Sequence, residues 1–218
     1  YSKGGEFRKW AGNLEPVVDW SESARSYYNS HPSGRLIPEE YWYRQGITWS
    51  PISTTKSGFR YLPADTTFDT KGLAVFPVTS NVADFLLGAF NSPFSKVALE
   101  IANPTMSINL FDVKTIPAPP VDVSTTLGKV IQRLVSLGSE DWDAYETSWD
   151  FTTLPLLSPD HQAGTLEAAY ASVRAHWQGM TDEMRALEEE NNRIFIDAYG
   201  LQDELSPEVP IEEITLTC

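Results

Sequence analysis

The sequence predicts an α+β protein. A mixed or antiparallel sheet with packed helices is expected over residues 1–120, followed by a long-helix, coiled-coil-like arm with an acidic tail over 121–218. Three observations point there. Before residue 80, short runs of β-branched and aromatic residues recur about every eight to twelve positions, as in a sheet of short strands. From 166 to 198 a heptad pattern is sustained. Between the two regions, Pro117, Pro119 and Pro120 in IPAPP can neither continue a helix nor donate to a central ladder, so an extended crossing is expected there.

The elements follow in order. Gly4-Gly5 is a flexible turn, and Val17–Trp20 reads as a short strand. A short helix is expected around Glu22–Asn29, a turn at His31-Pro32-Ser33-Gly34, and another short helix from Pro38-Glu39-Glu40. ITWSPIS, GFRYLP, TTFDT and LAVFPV, between 47 and 78, read as four short strands separated by turn residues. After Pro77 the period becomes helical. Ser80 is the expected N-cap, and Val82, Phe85, Leu86, Ala89 and Phe90 share a face. Pro93 restarts a helix with Phe94, Val97, Ala98 and Ile101, and a strand over Ser107–Val113 is expected to close this part.

In the second part, Ser124 is read as the cap of a helix bearing Leu127, Val130, Ile131, Leu134 and Val135 and ending at Gly138. Ser139 would cap a short helix with Trp142 and Tyr145, and Phe151–Leu157 would be an extended connector. A helix from about 162 to 199 follows. Its seam is Leu166, Tyr170, Val173, Trp177, Met180, Met184, Leu187, Asn191, Ile194 and Ala198. At ~1.5 Å per residue it would be about 57 Å long. Such a helix should project and pack on another, the stretch Leu127–Leu137 being nearest at hand.

The net charge of −14 is unevenly distributed. Residues 1–120 hold eleven Lys/Arg and eleven Asp/Glu, whereas 121–218 hold five and nineteen. Phosphate binding needs local cations rather than a basic average, so the first part suits DNA and the second repels it. The sole cysteine, Cys218, excludes an intramolecular disulfide and agrees with a cytoplasmic location. No run of 18 apolar residues is present, so no membrane association is expected. YSKGGEFRKW lacks Met and the apolar centre of a signal peptide, and the chain reads as a fragment of a longer protein.

Catalytic chemistry is not evident. His31, His161 and His176 lack partners at metal spacing, and the glycine motifs of nucleotide loops and hydrolase elbows are absent. Glu39-Glu40 and Glu188-Glu189-Glu190 read as solvated faces. Asn103-Pro104-Thr105-Met106 faintly resembles the Asn-Pro-Pro-aromatic motif of adenine methyltransferases. It lacks the stacking aromatic and reads instead as a helix-ending turn before proline.

YSKGGEFRKWAGNLEPVVDW, then GITWSPIS with FRYLP, then FLLGAFNS and NPTMSINLFDVKTIPAPP, together resemble the target-recognition region of the PglX family. These are adenine-specific DNA methyltransferases of BREX phage-defence systems, akin to type IIG and TaqI-like enzymes. The end of this pattern is also similar to recognition domains of type I specificity subunits. EDWDAYETSWDF, EEENNRIFIDAYGLQDEL and PEVPIEEITL look like the family's continuation. The resemblance implies a parent enzyme that uses S-adenosylmethionine, with no cofactor or catalytic residue in this segment. It implies double-stranded DNA and the parent's methyltransferase domain as partners, with other defence-system proteins as further candidates. The alternative is a protein-interaction or dimerisation module built on the helix 162–199.

Base readout needs donors on a rigid scaffold, with further cations on phosphates. The candidates are Lys3, Arg8, Lys9, Arg44, Gln45, Lys56, Ser57 and Arg60, with Tyr41, Trp42, Tyr43 and Trp49 nearby.

Overall fold

A computed structural model of the chain describes residues 1–34, 36–52, 58–69, 72–105, 107–119 and 125–217. The α+β expectation holds: a small antiparallel sheet is surrounded by helices. The first helix, α1 (Glu22–Ser30), is capped by the Ser21 hydroxyl, which accepts from the Ala24 amide. The strands are β1 (Gly46–Trp49), β2 (Phe59–Leu62) and β3 (Ala74–Val75), in the order β2-β1-β3. Ile47 lies opposite both Tyr61 and Val75, and Thr48 lies opposite both Arg60 and Ala74. This alternation gives the sheet two unlike faces. One carries Ile47, Trp49, Phe59 and Tyr61 and packs on α2 (Ser80–Phe90), with the Phe59 and Phe90 rings 5.0 Å apart. The other carries Thr48 and Arg60 and is covered by the N-terminal ribbon, where Ser2 Oγ lies 3.3 Å from Thr48 Oγ1.

Several local expectations are corrected. TTFDT forms no strand: Phe68 makes only an isolated bridge with Ser2. Val17–Trp20 is extended but unpaired, and Trp20 packs edge-on against Trp42 at 4.9 Å. The cap of α2 is Thr79 rather than Ser80. After α3 (Pro93–Ala102), the expected strand over Ser107–Val113 contributes one bridge, Ser107 with Ile52, and then turns into α4 (Leu110–Lys114). The reason is local. The buried Asp112 carboxylate accepts from the Asn109 amide at 2.8 Å, the reciprocal half of a capping box, and this favours a helical turn over a ladder. Asn103 ends α3, as the turn reading expected, and its side chain bonds Ser107, Asp112 and Thr105.

The helix expected to stop at Gly138 runs on as α5 (Thr125–Asp143), with no separate helix after Ser139. Gly138 marks a close approach, because a Cβ there would meet Ala11 of the ribbon at 3.3–3.4 Å. The expected cap Ser124 lies outside the described residues. In the connector, 155–157 and 159–161 are single 3₁₀ turns. The last helix, α6 (Leu166–Tyr199), begins later than expected. Thr165 caps it, and Gly200 ends it in the left-handed conformation at φ 70°.

The α5 positions Leu127, Ile131, Leu134 and Leu137 are fully buried, and α5 packs against both α2 and α6. Phe85 of α2 meets Phe195 of α6 at 5.6 Å. The buried core therefore runs without a break across position 120. From Val173 onward the seam of α6 is buried at Val173, Met180, Met184 and Asn191 and half-buried at the positions between and after them, while Leu166 and Tyr170 remain exposed. Its polar intruder, Asn191, is fully buried and donates to the Gly88 carbonyl at 3.1 Å.

A Cβ at Gly88 would stand 2.6 Å from Asn191 Oδ1, 2.9 Å from Ile131 and 3.0 Å from Phe195. The α2–α5–α6 junction thus closes around a glycine. Gly88→Ala is expected to cost about 1–3 kcal/mol of stability through overpacking. Denaturant titration measures it, and Asn191→Ala should recover part of the loss.

Candidate nucleic-acid interface

The structure separates six of the eight candidate residues into three groups. Arg8, Lys9 and Arg60 face inward, Lys3 lies at one end of the sheet, and Arg44 with Gln45 lies at the other. Lys56 and Ser57, in the β1–β2 connection, lie outside the described residues.

The inward group is built by the ribbon. Trp10 extends the sheet beyond β2: its amide donates to Phe59 O at 2.9 Å, and its carbonyl accepts from the Tyr61 amide at 2.8 Å. Trp10 adopts φ 70°, a costly conformation for a bulky residue. What holds it is the indole Nε1–H, donated to Glu188 Oε1 of α6 at 2.7 Å. Glu188 also accepts from the Lys9 ammonium, and both side chains are nearly fully buried. The reading of Glu188 as a solvated acid is thereby corrected. An ideal helix drifts relative to a 3.5-residue repeat, so after Met184 the buried track passes through Glu188 and Asn191 to Phe195.

Arg8 pairs with Asp141 of α5 at 2.9 Å and lies over the Trp142 ring at 5.1 Å. Asp141, 1% exposed, also accepts from the amide and hydroxyl of Thr217 at 2.9 and 2.8 Å. Arg60 is equally buried but donates to neutral groups, the Arg8 carbonyl at 3.3 Å and Ser50 Oγ at 3.4 Å. Burial, aided by the nearby Arg8 charge, pushes its guanidinium down to about 10. These three cations serve the interior in this structure.

Lys3 is exposed beside the β1–β2 connection, where Ser50 Oγ donates to Gly5 O at 2.9 Å. At the opposite end, the stretch before β1 presents Tyr43, Arg44 and Gln45, all exposed. Tyr43 adopts φ 53°, a second bulky residue in the left-handed region. Arg44 lies with its guanidinium carbon 5.3 Å from the Phe76 ring centre, and Phe76 stacks on Tyr41 at 5.5 Å. Its one hydrogen bond is long, Nη1 to Glu40 O at 3.5 Å. No carboxylate pairs with Arg44 among the described residues. Lys114, which the sequence reading missed, lines the same groove as Arg44. Nothing in its local pattern marks it, because α4 was expected to be a strand.

Among the described residues no group of three or more ligand-type side chains could hold a metal ion, and no helix is long and apolar enough to cross a membrane.

No family model matches the chain. It does align with two curated methyltransferases. The adenine-specific methyltransferase PglX of Lacticaseibacillus casei (strain Zhang) is 36% identical over 99% of this chain, and that overlap covers 19% of PglX. The adenine-specific methyltransferase BrxX of Escherichia coli O9:H4 (strain HS) is 26% identical over 93% of this chain and 16% of its own length. The chain thus belongs, over this segment, with the adenine-specific methyltransferases. Within them it is a PglX homologue, spanning about a fifth of the length of the curated relatives it matches.

Removing one partner of the inward network is expected to be strongly destabilising. Glu188→Ala strands the Lys9 ammonium and the Trp10 indole together, and should cost about 3–5 kcal/mol. Lys9→Met combined with Glu188→Met should recover most of that loss, because an apolar pair leaves no buried charge. Denaturant midpoints of the two variants against the parent check the order.

Proposed function

We propose that this chain is the noncatalytic target-recognition segment of an S-adenosylmethionine-dependent, adenine-specific DNA methyltransferase acting in BREX-type phage resistance. Methyl transfer belongs to the methyltransferase domain of the same polypeptide, which binds the cofactor. This segment selects the double-stranded sequence to be methylated.

One observation carries the reading. Arg44 is a solvent-facing guanidinium held over the Phe76 ring, with a single long hydrogen bond among the described residues and the exposed Gln45 next to it in the chain. Arg and Gln are the side chains that read guanine and adenine edges bidentately in the major groove. The small sheet beneath them is clamped on both faces, so the donors start from a rigid base. Lys3 at the far end supplies a phosphate contact, and Lys56 and Ser57 remain candidates from the sequence alone.

The rival reading, dimerisation through 162–199, has less to work with. From Val173 to Phe195 the apolar face of α6 packs on this chain's own core, with Trp177, Leu187 and Ile194 half-buried and Leu166 and Tyr170 exposed.

Arg44→Ala with Gln45→Ala in the full-length methyltransferase should weaken binding to duplex carrying its methylation motif. The expected loss is about 5- to 150-fold, equivalent to about 1–3 kcal/mol. The methylated motif read from genome-wide adenine methylation should relax at one or two positions. Lys3→Ala should instead weaken binding to all sequences alike and reduce the salt slope by about one. An unchanged motif together with unchanged duplex affinity in the double variant would falsify the assignment.

A further inference from the structure

β3 is an edge strand, and its free side opens onto a groove of about 760 Å³. Ala74 and Val75 pair with β1 on one side only. On the other side their backbone makes no hydrogen bond to any further described residue. The groove walls are apolar: Tyr41, Phe76, Leu86, Leu110 and Ile116 contribute, and all are only partly buried. Arg44 and Lys114 stand at its rim, both exposed, and the half-buried carboxylate of Asp69, which accepts from the Gly72 amide at 3.0 Å, lines it as well.

Each property narrows the occupant. An unpaired strand edge is a template for another strand, and folded proteins ordinarily blunt or cover such edges. An extended segment added there gains main-chain hydrogen bonds, and its alternate side chains enter the pockets alongside. Apolar walls select apolar side chains at those alternate positions. Asp69 is already bonded to the Gly72 amide, so the exposed Lys114 ammonium at the rim selects a carboxylate over a cation. Duplex DNA suits the groove poorly, since its phosphates demand cations along the walls, where apolar side chains stand. The alignments indicate where such a segment is to be found: about four-fifths of the length of PglX lies outside the part matched by this chain.

We propose that the β3 groove receives, as an added strand, an extended segment of the remaining methyltransferase polypeptide, with apolar residues at alternate positions and at least one acidic residue near Lys114. This assignment rests on the family relationship and is independent of which residues read DNA.

The test uses the full-length methyltransferase with a benzophenone amino acid in place of Tyr41, irradiated without DNA and mapped by mass spectrometry. The expected product joins position 41 to a peptide outside the 218 residues that carries alternating apolar residues and a carboxylate. Lys114→Glu should reduce its yield about fivefold, with the melting temperature unchanged as the control for folding. Crosslinks confined to this segment, joining two copies of the enzyme, or forming only when duplex DNA is added and then to the DNA, would each overturn the proposal. Because the measurement excludes DNA, failure of the Arg44 reading leaves its outcome untouched.

Discussion

The structure depends on two buried carboxylates, Asp141 of α5 and Glu188 of α6, that receive the N-terminal ribbon. Ion pairs cost desolvation on both sides, so a buried pair contributes little net stability compared with well-packed apolar residues. What it contributes is placement. Each carboxylate takes donors far from it in sequence: Arg8 and Thr217 meet at Asp141, and the adjacent Lys9 and Trp10 meet at Glu188. Once the ribbon is fixed, Trp10 extends the sheet past β2 and Arg8 offers its carbonyl to Arg60. The second face of a three-stranded sheet, too small to be stable alone, is thereby closed. The left-handed backbone at Trp10 is tolerated because ladder bonds and the indole bond to Glu188 over-determine it.

This arrangement reinterprets the charge asymmetry. A neutral first part and an acidic second part suggest one region that approaches DNA and another that avoids it. Part of the acidity serves inwardly instead. Asp141 and Glu188 are counter-ions for Arg8 and Lys9, so the helical region completes the first part electrostatically as well as by packing. The remaining acidic surface stands on α6 and the tail, where Arg185 and Arg193 bracket Glu189 in surface pairs of small energetic weight. In the first part the cations left outside are Lys3, Arg44, Lys96 and Lys114 among the described residues.

Much of the architecture was legible because it follows from period and punctuation. ITW and FRYL alternate and are flanked by turn residues, and α2 and α3 are divided by Pro93. α6 shows its heptads over many turns. The misreadings arose where a tertiary contact or a short-range bond outweighed local pattern. Gly138 looks like a helix stop in sequence, yet its missing side chain makes room for Ala11. Ser107–Val113 has strand composition, but Asp112 reaching back to Asn109 turns it into a helix. Glu188 falls beside the heptad seam, and only the drift of a straight helix relative to that seam carries it into the core. The candidate interface was half legible. Arg44 and Gln45 were identifiable as donors beside a turn. That Arg8, Lys9 and Arg60 point inward was not, since their partners lie between 10 and 179 positions away.

That division of cations bears on how such a segment can vary. Interior Arg8, Lys9 and Arg60 are coupled to the placement of the ribbon, and a change at any one perturbs groups shared by several elements, so effects there are strongly non-additive. Arg44, Gln45 and Lys3 are anchored to the scaffold yet touch little of it beyond Phe76 and a backbone carbonyl. Substitutions at those positions change which groups face a ligand while leaving the core almost untouched. On the recognition reading proposed above, fixed geometry and replaceable chemistry would fall on different residues. The costly buried pairs hold the frame, and the cheap exposed donors stand at its two ends, separated by the length of β1.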